Sequence, residues 1–220
     1  SMSTFPDTKL TYSLKVVTLA IIIALIAKLM LHCFSVNGVV SLVWPPSGIA
    51  LAVLLLGGMR YWPSIFLGTF LMVFVSNSWW VATGIAIGNT LEVVIGAWVL
   101  LNFFNINIRL VHYRDFILLI SMAAVCSLIS AVIGVSVLCF SNVIPTEQVA
   151  INILHWWQGN VLGIDLVTPL ILFWCQPVRK LFRNGSSNLI RAILCFTLAF
   201  MCGQIIFLGW FNESLGKFVE

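Results

Sequence analysis

Apolar residues run along this chain in seven stretches, separated by short segments that hold most of its charge. They cover Leu10 to Phe34, Pro46 to Gly57, Trp62 to Ser76, Trp79 to Phe103, Phe116 to Phe140, Val149 to Cys175 and Leu189 to Phe211. A helix needs about 20 apolar residues to cross the hydrocarbon core of a bilayer. The second and third stretches fall short of that. They are joined by Gly57-Gly58-Met59-Arg60-Tyr61, a connection too tight to hold another helix. The pattern predicts an all-α fold, a polytopic transmembrane helical bundle of about seven spans with the second and third short or partly re-entrant.

The short spans shape the outer face. Pro46 to Gly57 would be roughly 18 Å long, against a hydrocarbon core of about 30 Å. The uncharged stretch Ser35 to Trp44 is expected to make up the difference by dipping into the membrane. A helix would then begin at Trp44-Pro45-Pro46-Ser47-Gly48, where proline suits the first turn because its missing N–H would be unpaired there anyway. On this reading the backbone donors of Ser47, Gly48 and Ile49 face outward and suit an anionic or carbonyl group. On the plainer reading the motif only starts a short helix. The third span ends at Ser76-Asn77-Ser78-Trp79-Trp80, so two stubby helices are expected to leave an outward depression. Broken hydrophobic segments of this kind are pointers to a small-molecule site.

Composition and charge agree with a membrane protein. Hydrophobic residues make up 61% and charged residues 8% of the chain, whereas soluble domains carry about 25% charged residues. The net charge of +4 is dispersed over several loops, which argues against a nucleic-acid partner. If the spans alternate, Lys9, Lys15, Arg60, Arg109, Arg114, Arg179, Lys180, Arg183 and Arg191 share one side. Only Lys28 and Lys217 disagree, and Glu147, Glu213 and Glu220 lie opposite. The positive-inside rule then puts the N-terminus of this multi-pass chain in the cytoplasm. Six scattered cysteines, Cys33, Cys126, Cys139, Cys175, Cys195 and Cys202, read as soft hydrophobes packed in helices. No nucleophile set, metal spacing or phosphate loop is present, so no enzyme, metal or cofactor is expected.

The candidate chemistry lies at membrane depth. Along the fourth stretch Asn89 falls about 15 Å and Glu92 about 20 Å from Trp79. Along the sixth, His155, Asn160 and Asp165 fall about 9, 17 and 24 Å from Val149. Ionisable groups at such depth are expensive and are kept for a function or for internal pairing. Asn89 and Glu92 are three residues apart and share a face, with Asn160 level with them. Gly84 and Gly88 in one span, and Gly159 and Gly163 in the other, are spaced for close packing. The two spans are therefore expected to pack together with Asn89, Glu92 and Asn160 inward. Glu92 reads as a ligand partner or protonation switch, or else as glue bonded to neighbouring amides and hydroxyls. His155-Trp156-Trp157 reads as an interfacial belt or as the edge of a binding site. Asp165 is expected to pair with Arg109, Arg114 or a helix end.

These landmarks resemble the bacterial type-one membrane-associated sensor (MASE) domain. The resemblance rests first on Trp44-Pro45-Pro46-Ser47-Gly48-Ile49-Ala50-Leu51-Ala52 and on Leu55 to Gly68. Gly88-Asn89-Thr90-Leu91-Glu92 with Gly96-Ala97-Trp98, then Arg114-Asp115, then Trp156-Trp157-Gln158-Gly159-Asn160 with Gly163 and Thr168-Pro169-Leu170, follow in order. The family ends its tryptophan motif in aspartate, where this chain has Asn160. The resemblance implies an integral-membrane input module for a cytoplasmic histidine kinase, diguanylate cyclase or phosphodiesterase output. Residues 1–220 are thus expected to form a single membrane domain from a longer protein.

The function expected is sensory. A small molecule or membrane partner binds an outward pocket formed by Trp44, Pro46, Ser47, Asn77, Asn89, Glu92, His155, Trp157 and Asn160, and helix movement carries the signal inward. The expected partners are the lipid bilayer, an unidentified small-molecule ligand and a cytoplasmic kinase or cyclase output, with a homodimer left open. A transporter or substrate-capturing membrane subunit would also use short outer helices and polar midplane groups. A scaffold that positions a partner sensor is the third alternative.

Overall fold

The computed structural model describes residues 9–36, 40–41 and 43–175. They form six α-helices: α1 (Lys9–Phe34), α2 (Pro45–Gly57), α3 (Trp62–Phe74), α4 (Trp79–Trp98), α5 (Tyr113–Phe140) and α6 (Val149–Trp174). The helices follow the apolar stretches closely, and the seventh stretch, Leu189 to Phe211, lies outside the described residues. Among the described residues, three segments are long and apolar enough to cross a membrane: Lys9–His32, Trp79–Phe103 and Tyr113–Phe140. Helix α6 matches them in length, but Asn152, His155, Gln158, Asn160 and Asp165 dilute its apolar character. Helices α2 and α3 have 13 residues each, as short as their sequences predict.

The connections explain where each helix stops. Gly58 leaves α2 at φ +92°, a conformation open to glycine, and a turn at Met59–Tyr61 leads straight into α3. Pro45 and Pro63 sit in the first turns of α2 and α3, where their missing N–H groups cost nothing. At its far end α4 widens into a π-turn over Val99–Phe103. Ahead of α2, strands β1 (Ser35–Val36) and β2 (Val40–Ser41) pair antiparallel, Ser35 opposite Ser41. The chain then enters the bundle: Trp44 N–H donates to Gly159 O at 2.8 Å. Gly159 is about 15 Å along α6 from its first residue, so α2 begins well inside the bundle.

Around the bundle the neighbours run α1, α3, α4, α5, α6, α2 and back to α1, with α2 also touching α4 across the ring. Two apolar clusters fill the interior. One gathers Leu51, Leu54, Ile65, Val93, Leu100, Leu119, Ile164 and Leu172 at the end where Arg60 lies. The other gathers Val73, Val81, Ile85, Val135, Leu138 and Ile144 at the opposite end. Along α4 the changeover falls between Ile85 and Val93, and along α5 between Ala123 and Val135. Asn89, Glu92, Ser127 and Ser130 are buried in the interval between the clusters.

Candidate functional site

Helix geometry brings the polar groups of that interval together. Asn89 and Glu92 share one face of α4; Ser127 and Ser130, also three apart, share one face of α5. Asn160 arrives from α6. Glu92 is 0% exposed, and both carboxyl oxygens are occupied: Ser127 Oγ donates to Oε1 at 2.6 Å and Asn160 Nδ2 to Oε2 at 2.8 Å. The hydroxyls of Ser47 on α2 and of Ser130 also lie within reach of this carboxyl. Buried polar groups are tolerable only when bonded in this way. Four helices therefore meet at one carboxyl group, and its partners among the described residues are uncharged.

Ser130 is a second junction. Its hydroxyl donates to Asn89 Oδ1 at 2.5 Å and accepts from Asn160 Nδ2 at 3.3 Å and from Trp156 Nε1 at 3.2 Å. One donor and two lone pairs are all a hydroxyl has, so Ser130 is saturated. Asn160 spends its amide hydrogens on both junctions.

The start of α2 is clasped to α6 by backbone. A Cβ on Gly163 would collide with Trp44 O, and one on Gly48 would collide with Gly163 O. Thr168 Oγ1 donates to Gly48 O at 2.9 Å across the same contact. These contacts change two expectations. The donors at the start of α2 do not all face outward: Ser47 N–H turns back to Trp44 O at 3.2 Å, and an α6 carbonyl crowds Gly48. Nor do the paired glycines of α4 and α6 meet each other. Gly84 and Gly88 lie against Val137 and Ile133 of α5, while Gly163 lies against Trp44. The polar side chains of α4 and α6 still touch, between α5 on one side and α2 on the other.

The residues singled out from sequence divide accordingly. Ser47, Asn89, Glu92 and Asn160 come together, with Trp44 and Pro46 at the adjoining α2 start. Trp157 points elsewhere, its Nε1 donating to Ala124 O at 2.7 Å; the indole that reaches the layer belongs to Trp156. Asn77 donates to Val73 O at 3.3 Å at the end of α3, and His155 is half-buried with no hydrogen bond to the layer among the described residues. The expected pairing of Asp165 is not found among the described residues. Arg114 Nη2 donates to Phe104 O at 3.4 Å, and Asp165 Oδ1 is buried with no hydrogen-bond partner. Sequence reasoning missed Ser127, Ser130 and Thr168 as members of this site, and of the two indoles it weighed as a binding edge it chose Trp157 over Trp156. The signal was a serine pair at the same spacing of three as Asn89 and Glu92.

With this geometry in place, comparison with known families is decisive. The MASE1 family matches residues 13–213. The chain belongs to the MASE1 family, a membrane-associated sensor domain. No curated protein and no solved structure matches it. The MASE1 match runs through all six helices, so the polar layer and the clasp both lie within the family domain.

Proposed function

We propose that this MASE1 chain is a sensory input domain whose buried polar layer responds to a small molecule or membrane partner and relays the response to a cytoplasmic signalling output. The observation that carries the reading is Glu92: a carboxyl with no exposure, held by side chains of other helices. A carboxyl inside a membrane bundle is costly to keep. Its bonds depend on the relative positions of α2, α4, α5 and α6, so any rearrangement of those helices changes its energy. A ligand shifts such an equilibrium only by binding one arrangement better than another. The approach proposed is from the outer side, past Trp44, Asn89 and Trp156. The N-terminus is cytoplasmic in this reading, because Lys9, Arg60, Arg109 and Arg114 gather at one end of the helices and Glu147 at the other.

The test joins a diguanylate cyclase reporter to the chain through one added transmembrane helix, which returns the reporter to the cytoplasm, and measures its product in cells. Glu92→Gln and Asn89→Ala are expected to change the output while the chain still accumulates in the membrane. Output equal to wild type in both variants would reduce the layer to a packing device.

A further inference from the structure

Trp156 is the one member of the layer that is large, aromatic and only half-buried. Its seat on α5 is specific. The indole lies along one turn of that helix, with Nε1–H on Ser130 Oγ at 3.2 Å and the benzo edge over Gly134, four residues further on. A Cβ built on Gly134 would come within 2.8 Å of two ring carbons, so the absent side chain is what lets the edge of the indole approach α5 this closely. Ser130 in turn bonds Asn89 and Asn160, and Asn160 bonds Glu92. A hydrogen-bonded path therefore runs from a half-buried ring to a fully buried carboxyl.

We infer that Trp156 is the specificity-determining input residue of the domain: an uncharged small molecule acts on the accessible part of its half-buried ring, and the Ser130 hydroxyl passes the displacement to Asn89, Asn160 and Glu92. The inference rests on the sensory reading above. Its physical basis is saturation. Withdrawing the indole N–H leaves a lone pair of the buried Ser130 hydroxyl without a donor, and the cheapest remedy is to reorient Asn160, the donor already nearest it. Asn160 cannot turn further toward Ser130 without loosening its bond to Glu92. The occupant is an uncharged, planar or apolar group, since the one N–H of Trp156 is held by Ser130 and only its apolar ring surface remains to be met.

Two variants test this in the cyclase fusion. Trp156→Phe keeps an aromatic ring and deletes the N–H. Gly134→Ala leaves every polar group in place and forces the indole off its seat. Each is expected to shift reporter output by about threefold or more, the scale set by one net hydrogen bond on a two-state equilibrium. Trp98→Phe, at the far end of α4, is expected to leave output unchanged. If Trp156→Phe fails to accumulate, Gly134→Ala decides alone. Wild-type output in Trp156→Phe and Gly134→Ala, with Glu92→Gln still active in shifting it, would overturn the inference and leave the sensory reading standing. Wild-type output in Glu92→Gln and Asn89→Ala as well would remove both. An equal shift in Trp98→Phe would also overturn it, because the effect would then belong to tryptophan content and not to this seat.

Discussion

Asn160 gives its amide hydrogens to acceptors on two other helices, Glu92 Oε2 on α4 and Ser130 Oγ on α5. A carboxylate in its place would offer acceptors only. Asn160→Asp, which restores the residue usual in the family motif, therefore sets two carboxyl groups against each other at a contact that is 2.8 Å long. The variant is expected to lower the Tm of the purified chain, at a cost of about 1–3 kcal/mol for the stranded groups. Adding Glu92→Gln returns a donor to the pair and should recover much of the loss. A double variant that melts no higher than Asn160→Asp alone would show that the two side chains do not interact directly. Asn89, Glu92 and Asn160 were legible in the sequence because carboxyl and amide groups are conspicuous in lipid-length runs. Ser127 and Ser130 were not, since a serine hydroxyl can bond its own helix and raises no alarm there. Asp165 was equally conspicuous, and its place in the fold did not follow from that.

At the scale of the helix, the glycines separate by what surrounds them. Gly163 and Gly48 face backbone, which cannot rotate away. Gly84 faces the Val137 side chain, which can shift, and a Cβ on Gly96 would meet nothing nearer than Cys126 Sγ at 3.8 Å. Alanine at Gly163 or Gly48 is expected to destabilise the bundle by about 1–3 kcal/mol or to prevent assembly, through overpacking. Gly84→Ala should cost less. Gly96→Ala should be neutral or stabilising, because alanine is favoured over glycine inside a helix by about 1 kcal/mol. Thermal melting in one detergent ranks all four, and a Gly96→Ala variant less stable than Gly163→Ala would contradict the packing described. The spacing of these glycines was visible in the sequence, but spacing names no partner. The clasp pairs α6 with an irregular segment ahead of α2, a contact between residues 115 or more apart that local pattern does not encode.

At the scale of the whole molecule, the boundaries of the described helices were almost fully written in hydropathy, because a bilayer-length apolar run has few ways to satisfy its backbone other than as a helix. The order of helices around the ring was not, since lipid-facing and core-facing positions are alike apolar. The proposed alternation of the spans makes its own prediction. With the native cysteines replaced, single cysteines introduced by Arg60→Cys and Pro145→Cys should react with an impermeant reagent from opposite sides of the membrane. Both positions are exposed, so failure of one to react reports sidedness rather than burial. Labelling of both from outside would overturn the alternation and the cytoplasmic N-terminus with it.

The band of amides, hydroxyls and one carboxyl between the two oily clusters also limits how the molecule can move. Sliding α4 past α5 by a single turn, about 5.4 Å, would drive Glu92 into hydrocarbon and tear it from Ser127 and Asn160 together. Piston motion is thereby made costly at this level. What stays cheap is rocking, with the helices pivoting about the band as about a fulcrum, so that a small spread at one rim of the bundle is returned as an opposite closing at the other.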